Sequence, residues 1–447
     1  MPALSKTRLL SYLQCPKRLW LEQYSPELED EAAYDQAAIA TGRVVGAMAR
    51  EVYGAGGGHA VSHDRGLRAA VAATEALLGN GGRAPIFEAT FDYDGLTVQV
   101  DVLDRSGDRP RIVEVKSSTA VKQRFLADCA IQAWTLNQLG HELKSTSVAL
   151  IDKNFVYSGD GSYGGLFREV DLTPELGSLI DAMPGVVAGA RATLDSLDEP
   201  EREIGPHCSE PFPCPFFGHC APAGRGEPDL EPDGAEAPFV SPELKPLIEA
   251  LLYPRYFLDF ETIAFAIPIW AGTRPYEALP FQWSCHVDDG SGIRHEEFLD
   301  LSGEPPMRRA AESLIGTLGS EGPVMVYTAY EKRVLRELGE RYPDLEPGLD
   351  AIVGRLVDLH PIAKQHYEHP AMQGSWSLKR ILPTIGADVD YTELEEVRDG
   401  QAAQAAYLEA IHADTPPGRR AALEAALIAY CRLDSLALVR LVEFFGR

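Results

Sequence analysis

Three of the seven cysteines in this chain lie close together in a pattern that suits a metal centre. Cys208, Cys214 and Cys220 are separated by five residues each within the stretch HCSEPFPCPFFGHC. In a reducing cytoplasm such a cluster binds a metal more often than it forms disulfides. A four-coordinate site needs one more ligand. For zinc, His207 or His219 could supply it, although zinc cysteines usually lie two to four residues apart.

A second group of residues could bind a divalent cation in the first half of the chain. Asp101 ends the alternating run LTVQVD, and Glu114 and Lys116 lie two residues apart in VEVKSS, so their side chains share one face of a strand. A hairpin would place Asp101 beside Glu114, where two carboxylates repel each other unless a cation lies between them. The lysine could then orient a water molecule or stabilise negative charge on a phosphorane.

A third group of acidic residues is spread over the second half of the chain. Asp259 and Glu261 lie two residues apart in PRYFLDFETIAF and so share one face of a strand. Glu331 stands at the start of an amphipathic helix, and Tyr430 and Asp434 are one helical turn apart near the end of the sequence. Taken singly, each piece is an ordinary strand end or helix face. Together they offer the hard oxygen ligands that Mg²⁺ and Mn²⁺ prefer.

The elements that must position these groups can be read from periodicity. Three short alternating runs, broken by YDG and SGDRP, predict a meander of strands in the first half, and FLADCAIQAWTLNQLG then predicts a helix. The second half begins with buried-looking strands and ends in a long helix, EAALIAYCRLDSLALVRLVEFF. We therefore expect the α/β class. The remaining cysteines lie in these apolar segments and are expected to be core residues: Cys129, Cys285 and Cys431.

Length and composition indicate a soluble chain of more than one domain. The 447 residues are 45% apolar and 24% charged, which is ordinary for globular proteins. Residues 221–243 are rich in proline, glycine and acidic residues and lack periodicity, so they predict a linker between domains at 1–220 and 244–447. No apolar run approaches a membrane span and no signal peptide is recognisable. We expect a cytoplasmic protein without membrane contact.

The net charge of −26 bears on the class of partner. Proteins that bind nucleic acid carry basic patches, so this charge argues against a large non-specific DNA-binding surface. Metal-binding carboxylates and an acidic outer surface add negative charge without touching a ligand. The charge therefore leaves room for a narrow groove that binds nucleic acid.

The order of residues in the first half resembles the PD-(D/E)xK nucleases of the RecB branch. Glu88, Asp101 and then Glu114 with Lys116 fall on successive predicted strands, as in that superfamily. Gln132 lies on the following helix, where the RecB branch has a glutamine that shapes the site; satisfying buried backbone groups is the other role open to it. The resemblance implies a restriction-endonuclease-like fold in which Asp101 and Glu114 bind Mg²⁺ or Mn²⁺.

The same resemblance accounts for the cysteines. RecB-like nucleases with an iron–sulfur cluster, which include a CRISPR-associated single-strand nuclease family, have one cysteine before the nuclease core and three after it. Cys15, in YLQCPKRLWLE, matches the first, and Cys208, Cys214 and Cys220 match the others. These four thiolates are the number that a 4Fe–4S cluster needs. The resemblance implies such a cluster, closing the domain like a clasp.

One position departs from that family. Its exonucleases usually carry a metal-binding histidine on the first long helix, in a stretch like Gly-x-x-x-His. The matching stretch here is GRVVGAMAREVY, with Gly46 where the histidine would stand. The metal site would then rest on Glu88, Asp101, Glu114 and Lys116, which implies reduced or altered activity.

The second half resembles the DEDD exonucleases of the RNase H-like fold. Asp259 and Glu261 match the first motif, and Tyr430 with Asp434 matches the last motif of the YxxxD subclass, in which the tyrosine positions the attacking water. Glu331 stands where the family usually has an aspartate, which alters the reach of that ligand. The resemblance implies two Mg²⁺ or Mn²⁺ ions held by these four acids, and 3′→5′ polarity.

Both resemblances together imply a metal-dependent nuclease with two sites that acts on DNA, on single strands or on ends. RNA is an alternative substrate, since DEDD sites act on both. The alternative from a different class is a nucleic-acid-binding scaffold protein in which Gly46 or Glu331, or both, mark a degenerate site.

Overall fold

The structure, a computed structural model, describes residues 3–221, 238–394 and 396–447. These residues form two compact units. The first comprises 3–221 with Phe265–Pro275, and the second comprises 238–264 with Tyr276–Arg447. Most of the segment expected to be a linker, 222–237, lies outside the described residues.

The first unit is built around a seven-stranded mixed sheet. Its strands are β1 (Leu4–Ser5), β2 (His59–Ala60), β3 (Ile86–Tyr93), β4 (Leu96–Asp104), β5 (Arg111–Lys116), β6 (Thr146–Ile151) and β7 (Phe167–Asp171). They run in the order β2-β3-β4-β5-β6-β7, and β1 pairs with β4. Strands β3, β4 and β5 form an antiparallel meander, whereas β5 and β6 are parallel.

Seven helices surround this sheet in the described part of the first unit. They are α1 (Lys6–Gln14), α2 (Pro16–Tyr24), α3 (Gln36–Tyr53), α4 (Leu67–Gly79), α5 (Gln123–Gln138), α6 (Gly177–Asp195) and α7 (Phe217–Cys220). Helix α5 makes the crossover that parallel β5 and β6 require, and Ile131 and Leu136 on it are fully buried in the main core. Helix α1 is capped by Ser5 and ends at Cys15, after which Pro16 opens α2.

The turn between β3 and β4 shows how local sequence fixes this meander. Asp94 and Gly95 both have positive φ, 50° and 77°. Two such residues make the tight hairpin turn whose twist matches that of the flanking strands. The turn predicted from YDG is confirmed, and with it the strand pair that carries the acidic residues.

The second unit contains a five-stranded sheet and a two-stranded one. Its strands are β8 (Phe239–Val240), β9 (Arg255–Ile263), β10 (Leu279–Asp288), β11 (Ile293–Leu299), β12 (Val324–Val326), β13 (Leu356–Asp358) and β14 (Tyr367–Glu368). The larger sheet has the order β11-β10-β9-β12-β13, antiparallel on one side of β9 and parallel on the other. Strand β9 is therefore central, and its two faces are almost entirely buried.

The helices of the second unit are α8 (Leu244–Glu249), α9 (Met307–Leu318), α10 (Tyr330–Arg341), α11 (Glu346–Val353), α12 (Leu359–His366), α13 (Leu378–Ile381), α14 (Gly400–Ile411) and α15 (Pro417–Phe445). Helix α15 has 29 residues and packs against β9 and β10. It is about 43 Å long, so it can carry side chains both to the functional residues of β9 and to the distant core.

Both units mix strands and helices, which confirms the expected α/β class. Among the residues that the structure describes, no helix has the length and apolar content needed to cross a bilayer.

Two glycine substitutions should have opposite effects on stability. A Cβ at Gly95 or at Gly46 would meet no atom within 4 Å, so only the backbone distinguishes them. Gly95→Ala should lower the free energy of unfolding by about 1 kcal/mol, because its φ of 77° disfavours any side chain. Gly46→Ala should raise it by about 0.5–1 kcal/mol, since Gly46 lies inside helix α3. Urea denaturation followed by circular dichroism measures both, and shifts of equal sign would contradict this explanation.

Candidate functional site

Three acids lie in a row across the sheet of the first unit. The register of β3 on β4 puts Glu88 opposite Asp101, and the register of β4 on β5 puts Asp101 opposite Glu114. Opposed residues on neighbouring strands share one face of the sheet. Asp101 Oδ2 accepts a hydrogen bond of 2.7 Å from the Val115 N–H, which fixes its carboxylate on the hairpin.

Glu114 is the centre of this group and is 2% exposed. Lys116 Nζ donates to its Oε1 over 2.7 Å, and Gln132 Nε2 donates to its Oε2 over 2.7 Å. Gln132 thus donates to carboxylates of this group, and its part in shaping a nuclease site stays a prediction. Its Oε1 atom has no hydrogen-bond partner among the described residues.

Two residues that the sequence analysis did not assign complete the group. Asp128 lies on α5, where it accepts from Lys116 Nζ over 2.6 Å and from Gln132 Nε2 over 3.1 Å. Lys6, at the start of α1, lies 3.1 Å from Glu114 Oε1 and 2.9 Å from Asp128 Oδ1. Asp128 could have been found from the sequence, because it lies one helical turn before Gln132 and so on the same face of the helix. Nothing in the sequence around Lys6 pointed to this site.

The charges of this group set one another's protonation. Burial raises the pKa of Glu114 to about 7, and the negative charges of Asp101 and Asp128 add to the rise. Burial also raises the pKa of Asp101, against the attraction of Lys6 and Lys116. At Asp128 burial acts in the same direction, but the two ammonium groups outweigh it and hold the pKa well below its usual range. Asp128 is thus a fixed negative charge, whereas Glu114 titrates near neutrality.

Glu88 is held differently from the other acids. Arg50 donates to its Oε1 over 3.0 Å and Gln99 donates to its Oε2 over 2.7 Å. Its backbone φ is 56°, in the left-handed region that a glutamate in a strand rarely occupies. Such strain concentrates at functional positions. Glu88 lies beside the other acids with its charge already balanced by an arginine, and its role in a metal site stays a prediction.

An open cleft of about 420 Å³ gives access to these residues. Its walls include Arg43, Gly46, Arg50, Glu88, Asp101 and Lys116. Gly46 thus lies in the same cleft as the acids, where a histidine would face them, and a Cβ there would meet open space. Reduced activity from this glycine stays a prediction, and Arg43 and Arg50 give the cleft positive charge despite the acidic chain.

The structure brings the four cysteines together. Cys15, Cys208, Cys214 and Cys220 line one small pocket. The link between the distant segments is made by Gln14, whose Nε2 donates to the carbonyl oxygens of His207 and Phe212, 2.8 Å each. Burial raises the pKa of the Cys214 and Cys220 thiols. The ends of the first unit therefore meet at a cluster of thiols.

Zinc and a 4Fe–4S cluster place different requirements on the four cysteines. Tetrahedral zinc with bonds of about 2.3 Å needs sulfurs about 3.8 Å apart. Among the described residues, one group of three side chains has its potential ligand atoms within 4.8 Å of one another. Cys15, Cys208, Cys214 and Cys220 are not in that group. His219 Nε2 lies 3.1 Å from Glu199 instead. The iron–sulfur assignment and its zinc alternative both stay predictions.

In the second unit, β9 and α15 carry the expected acids to one place. Asp259, Glu261 and Cys431 form the group whose ligand atoms lie within 4.8 Å of one another. Cys431 Sγ is 3.6 Å from Asp259 Oδ2. The apolar segment around Cys431 predicts a core residue. It is fully buried, but its thiol contacts the acidic cluster because α15 packs on β9.

Asp434 is held by two phenols. Tyr391 Oη donates to Asp434 Oδ1 over 2.6 Å, and Tyr430 also hydrogen-bonds to Asp434. Lys379 Nζ stands 5.3 Å from the ring of Tyr391 and 6.0 Å from that of Tyr430. The pairing of Tyr430 with Asp434 follows the one-turn spacing in the sequence. Tyr391 was missed, because it lies in a short irregular segment without periodicity.

Negative charge in the second cluster is poorly balanced. Burial raises the pKa of Asp259 well above its usual range, and Asp434, Glu261 and Glu331 raise it further. Burial raises the pKa of Glu261 to about 8 and that of Glu331 to about 8. Lys379 opposes the rise at Glu261 but does not cancel it. These acids can all ionise together only with added positive charge.

The donor set fits a divalent cation. Glu331 is 4% exposed, and its Oε2 has no hydrogen-bond partner among the described residues. A buried carboxylate oxygen without a partner is costly unless it serves as a ligand. Asp259, Glu261 and Asp434 add further carboxylate oxygens, the donors that Mg²⁺ and Mn²⁺ prefer. The residues present are therefore suited to such an ion.

Comparison with known proteins adds little about function. No curated protein matches the sequence. The crystal structure of SSO0001 is similar at 15% identity over 50% of this chain and 87% of its own, with a TM-score of 0.26. A family model described as a domain of unknown function, DUF2779, matches residues 256–377, which begin on β9 and include Asp259, Glu261 and Glu331.

Proposed function

We propose that this protein is a metal-dependent nuclease of the cytoplasm that hydrolyses phosphodiester bonds in DNA, on single strands or at ends, with one site in each unit. The proposal assigns the first unit to the PD-(D/E)xK fold and the second to the RNase H-like fold. RNA is the alternative substrate of the second site. The observation that carries the proposal is the buried, poorly balanced cluster of Asp259, Glu261, Glu331 and Asp434.

Such a cluster is unfavourable for a protein that binds no cation. Taking several carboxylates out of water raises their pKa values and weakens the fold once they ionise. Two of the acids come from β9, one from α10 and one from α15. Elements so far apart in sequence converge here at a cost to stability. A requirement for cation binding explains why that cost is tolerated.

In the second site, Asp259, Glu261, Glu331 and Asp434 would hold Mg²⁺ or Mn²⁺. Bound ions of this kind lower the pKa of water and stabilise the charge that develops on phosphate oxygens. Tyr391 and Tyr430 hold the carboxylate of Asp434. The phenol of Tyr430, one turn before Asp434, is suited to orient the attacking water, and burial keeps it protonated by raising its pKa.

In the first site, Asp101 and Glu114 would hold the cation, with Glu88 beside them. Lys116 lines the cleft and is the group suited to orient water or to neutralise phosphate charge. Arg43 and Arg50 line the same cleft and suit the backbone of a nucleic acid. Four thiolates would hold a 4Fe–4S cluster at the pocket of Cys15.

A second candidate function rests on the pairing of Glu88 with Arg50 and on Gly46. Both remove a ligand from the first site, one by neutralising an acid and the other by omitting a side chain. The first unit would then bind single-stranded DNA in the cleft that Arg43 and Arg50 line and cleave it slowly. The second unit would carry the main activity.

Substitutions should separate the two sites. Asp101→Ala and Lys116→Ala should reduce one cleavage activity about 10²-fold or more, and Asp259→Ala and Asp434→Ala should do the same to another. The assay uses end-labelled single-stranded DNA with Mn²⁺, with EDTA as the blank. Asp108→Ala, at an exposed loop, is the control and should change neither. If Asp259→Ala and Asp434→Ala leave every product unchanged, the second unit has no nuclease site.

The cysteines should bind iron as one unit. Anaerobically purified protein should be brown and hold close to four irons per chain, as four thiolates imply. Cys15→Ala should lose iron as fully as Cys214→Ala, and both should lower the melting temperature, because binding energy at such a site is folding energy. Cys129→Ala, a fully buried cysteine elsewhere in the first unit, should keep its iron. Colourless protein with stoichiometric zinc would contradict the assignment.

Stability without divalent ions should fall as the pH rises. The folded chain holds protons on Glu261 and Glu331 up to about pH 8, whereas the unfolded chain loses them near pH 4.5. Their contribution is therefore complete below pH 4.5 and is lost as the pH rises through 8. The free energy of unfolding in EDTA should drop by roughly 2 kcal/mol or more between pH 5 and 9.

Two controls make that test specific. Excess Mg²⁺ should flatten the pH dependence, because a cation replaces the protons. Glu261→Gln should also flatten it, whereas Glu304→Gln, at an exposed glutamate, should not. An unchanged slope in Glu261→Gln would show that this cluster does not titrate as described.

A further inference from the structure

Two lysines and two acids in the first unit form a closed ring of alternating charge. Lys6 lies 3.1 Å from Glu114 Oε1 and 2.9 Å from Asp128 Oδ1. Lys116 lies 2.7 Å from the same oxygen of Glu114 and 2.6 Å from Asp128 Oδ2. Each ammonium group therefore bridges both carboxylates. The residues come from three separate elements, since Lys6 is on α1, Glu114 and Lys116 are on β5, and Asp128 is on α5.

The two lysines are placed differently with respect to the cleft. Lys116 is one of the residues that line it, together with Glu114, whereas Lys6 and Asp128 are not among its lining residues. Lys116 is therefore the lysine of the ring that a phosphate in the cleft would contact directly. Lys6 acts, if at all, through the two acids that it shares with Lys116.

The same residues set the net charge that a cation encounters in the cleft. When Glu114 is ionised the ring is neutral, because two ammonium groups balance two carboxylates, and Arg50 balances Glu88. Asp101 then supplies the net negative charge that attracts a cation. Without Lys6 the same group would carry one more negative charge. It would bind a cation more tightly, and Lys116 would be the only counter-ion of both Glu114 and Asp128.

We propose that Lys6 is a positioning residue of the first site. It holds Glu114 and Asp128 from behind, so Lys116 can turn toward a phosphate in the cleft without leaving two acids unbalanced. Lys6 also keeps the cleft from binding cations so tightly that the carboxylates no longer exchange them. This inference rests on the proposed nuclease function of the first unit.

The test compares Lys6→Met and Lys6→Arg in a full-length chain whose second site is disabled by Asp259→Ala and Asp434→Ala. Arg8→Met is the matched control, because it removes a positive charge from the same helix at a side chain that donates to Gln23 and to the Ala3 carbonyl. Mn²⁺ affinity is measured without substrate by electron paramagnetic resonance of the free ion. Turnover of labelled single-stranded DNA is measured at saturating Mn²⁺.

Lys6→Met should bind Mn²⁺ at least about fivefold more tightly and turn over at least about tenfold more slowly, since removal of a nearby charge changes ion binding strongly. Lys6→Arg should recover most of both properties, and Arg8→Met should change neither. Loss of a merely structural contact would weaken Mn²⁺ binding and turnover together. If Lys6→Met fails to fold by circular dichroism, Lys6→Gln replaces it with the same expectations.

The two proposals fail separately. An unaltered or weaker Mn²⁺ affinity in Lys6→Met or Lys6→Gln would overturn the role of Lys6, whatever the activity. A wild-type first unit that binds Mn²⁺ but cleaves no DNA or RNA would overturn the nuclease function, and with it the part of this inference that concerns Lys116.

Discussion

A carboxylate taken out of water needs positive charge beside it, and this requirement organises both units. Each unit brings acids from distant segments to the face of a sheet and buries them. The energetic penalty for burying an isolated charge is far larger than the net stability of a domain. The way each unit offsets this penalty determines which residues must lie beside its acids. Those residues in turn determine which helices and strands must pack together.

The two units meet the requirement in different ways. In the first, Lys6 and Lys116 balance Glu114 and Asp128, so the pKa of Asp128 stays low and the group is preorganised without any ion. In the second, Lys379 is a weak and distant counter-charge, and burial raises the pKa of Glu261 to about 8. The first cluster is thus largely self-sufficient, whereas protons or a cation must complete the second. Cation binding should matter more to the fold of the second unit.

Sequence reasoning succeeded where the functional residues share an element or a tight hairpin. The alternation of a strand put Asp259 and Glu261 on one face, and the turn predicted from SGDRP, between β4 and β5, put Asp101 beside Glu114. In these cases the local period fixes the side-chain direction. The same reasoning fixed the α/β class, because strand and helix periods differ throughout the chain.

It failed where tertiary packing alone brings a residue to the site. Lys6 reaches Glu114 across 108 residues of sequence, and no local pattern encodes that approach. Tyr391 comes from an irregular segment, and its partner Asp434 is on the last helix. Cys431 lies in an apolar segment like an ordinary core cysteine, because the sequence pattern is the same whether or not the buried thiol contacts an acid. A single chain without a structure cannot reveal such contacts.

The position of helix α1 also has a consequence for synthesis. Gln14 contacts the carbonyl of His207, 193 residues later. A ribosome adds about 5–20 residues per second, so roughly 10–40 s separate the emergence of these two segments. For the first half of that time α1 lacks its acidic partners Glu114 and Asp128, and for all of it α1 lacks the remaining cysteines, so apolar side chains such as Leu9 are exposed early in synthesis. Helix α1 is therefore made long before all its contacts are available, and a chaperone that shields it would raise the yield of folded protein.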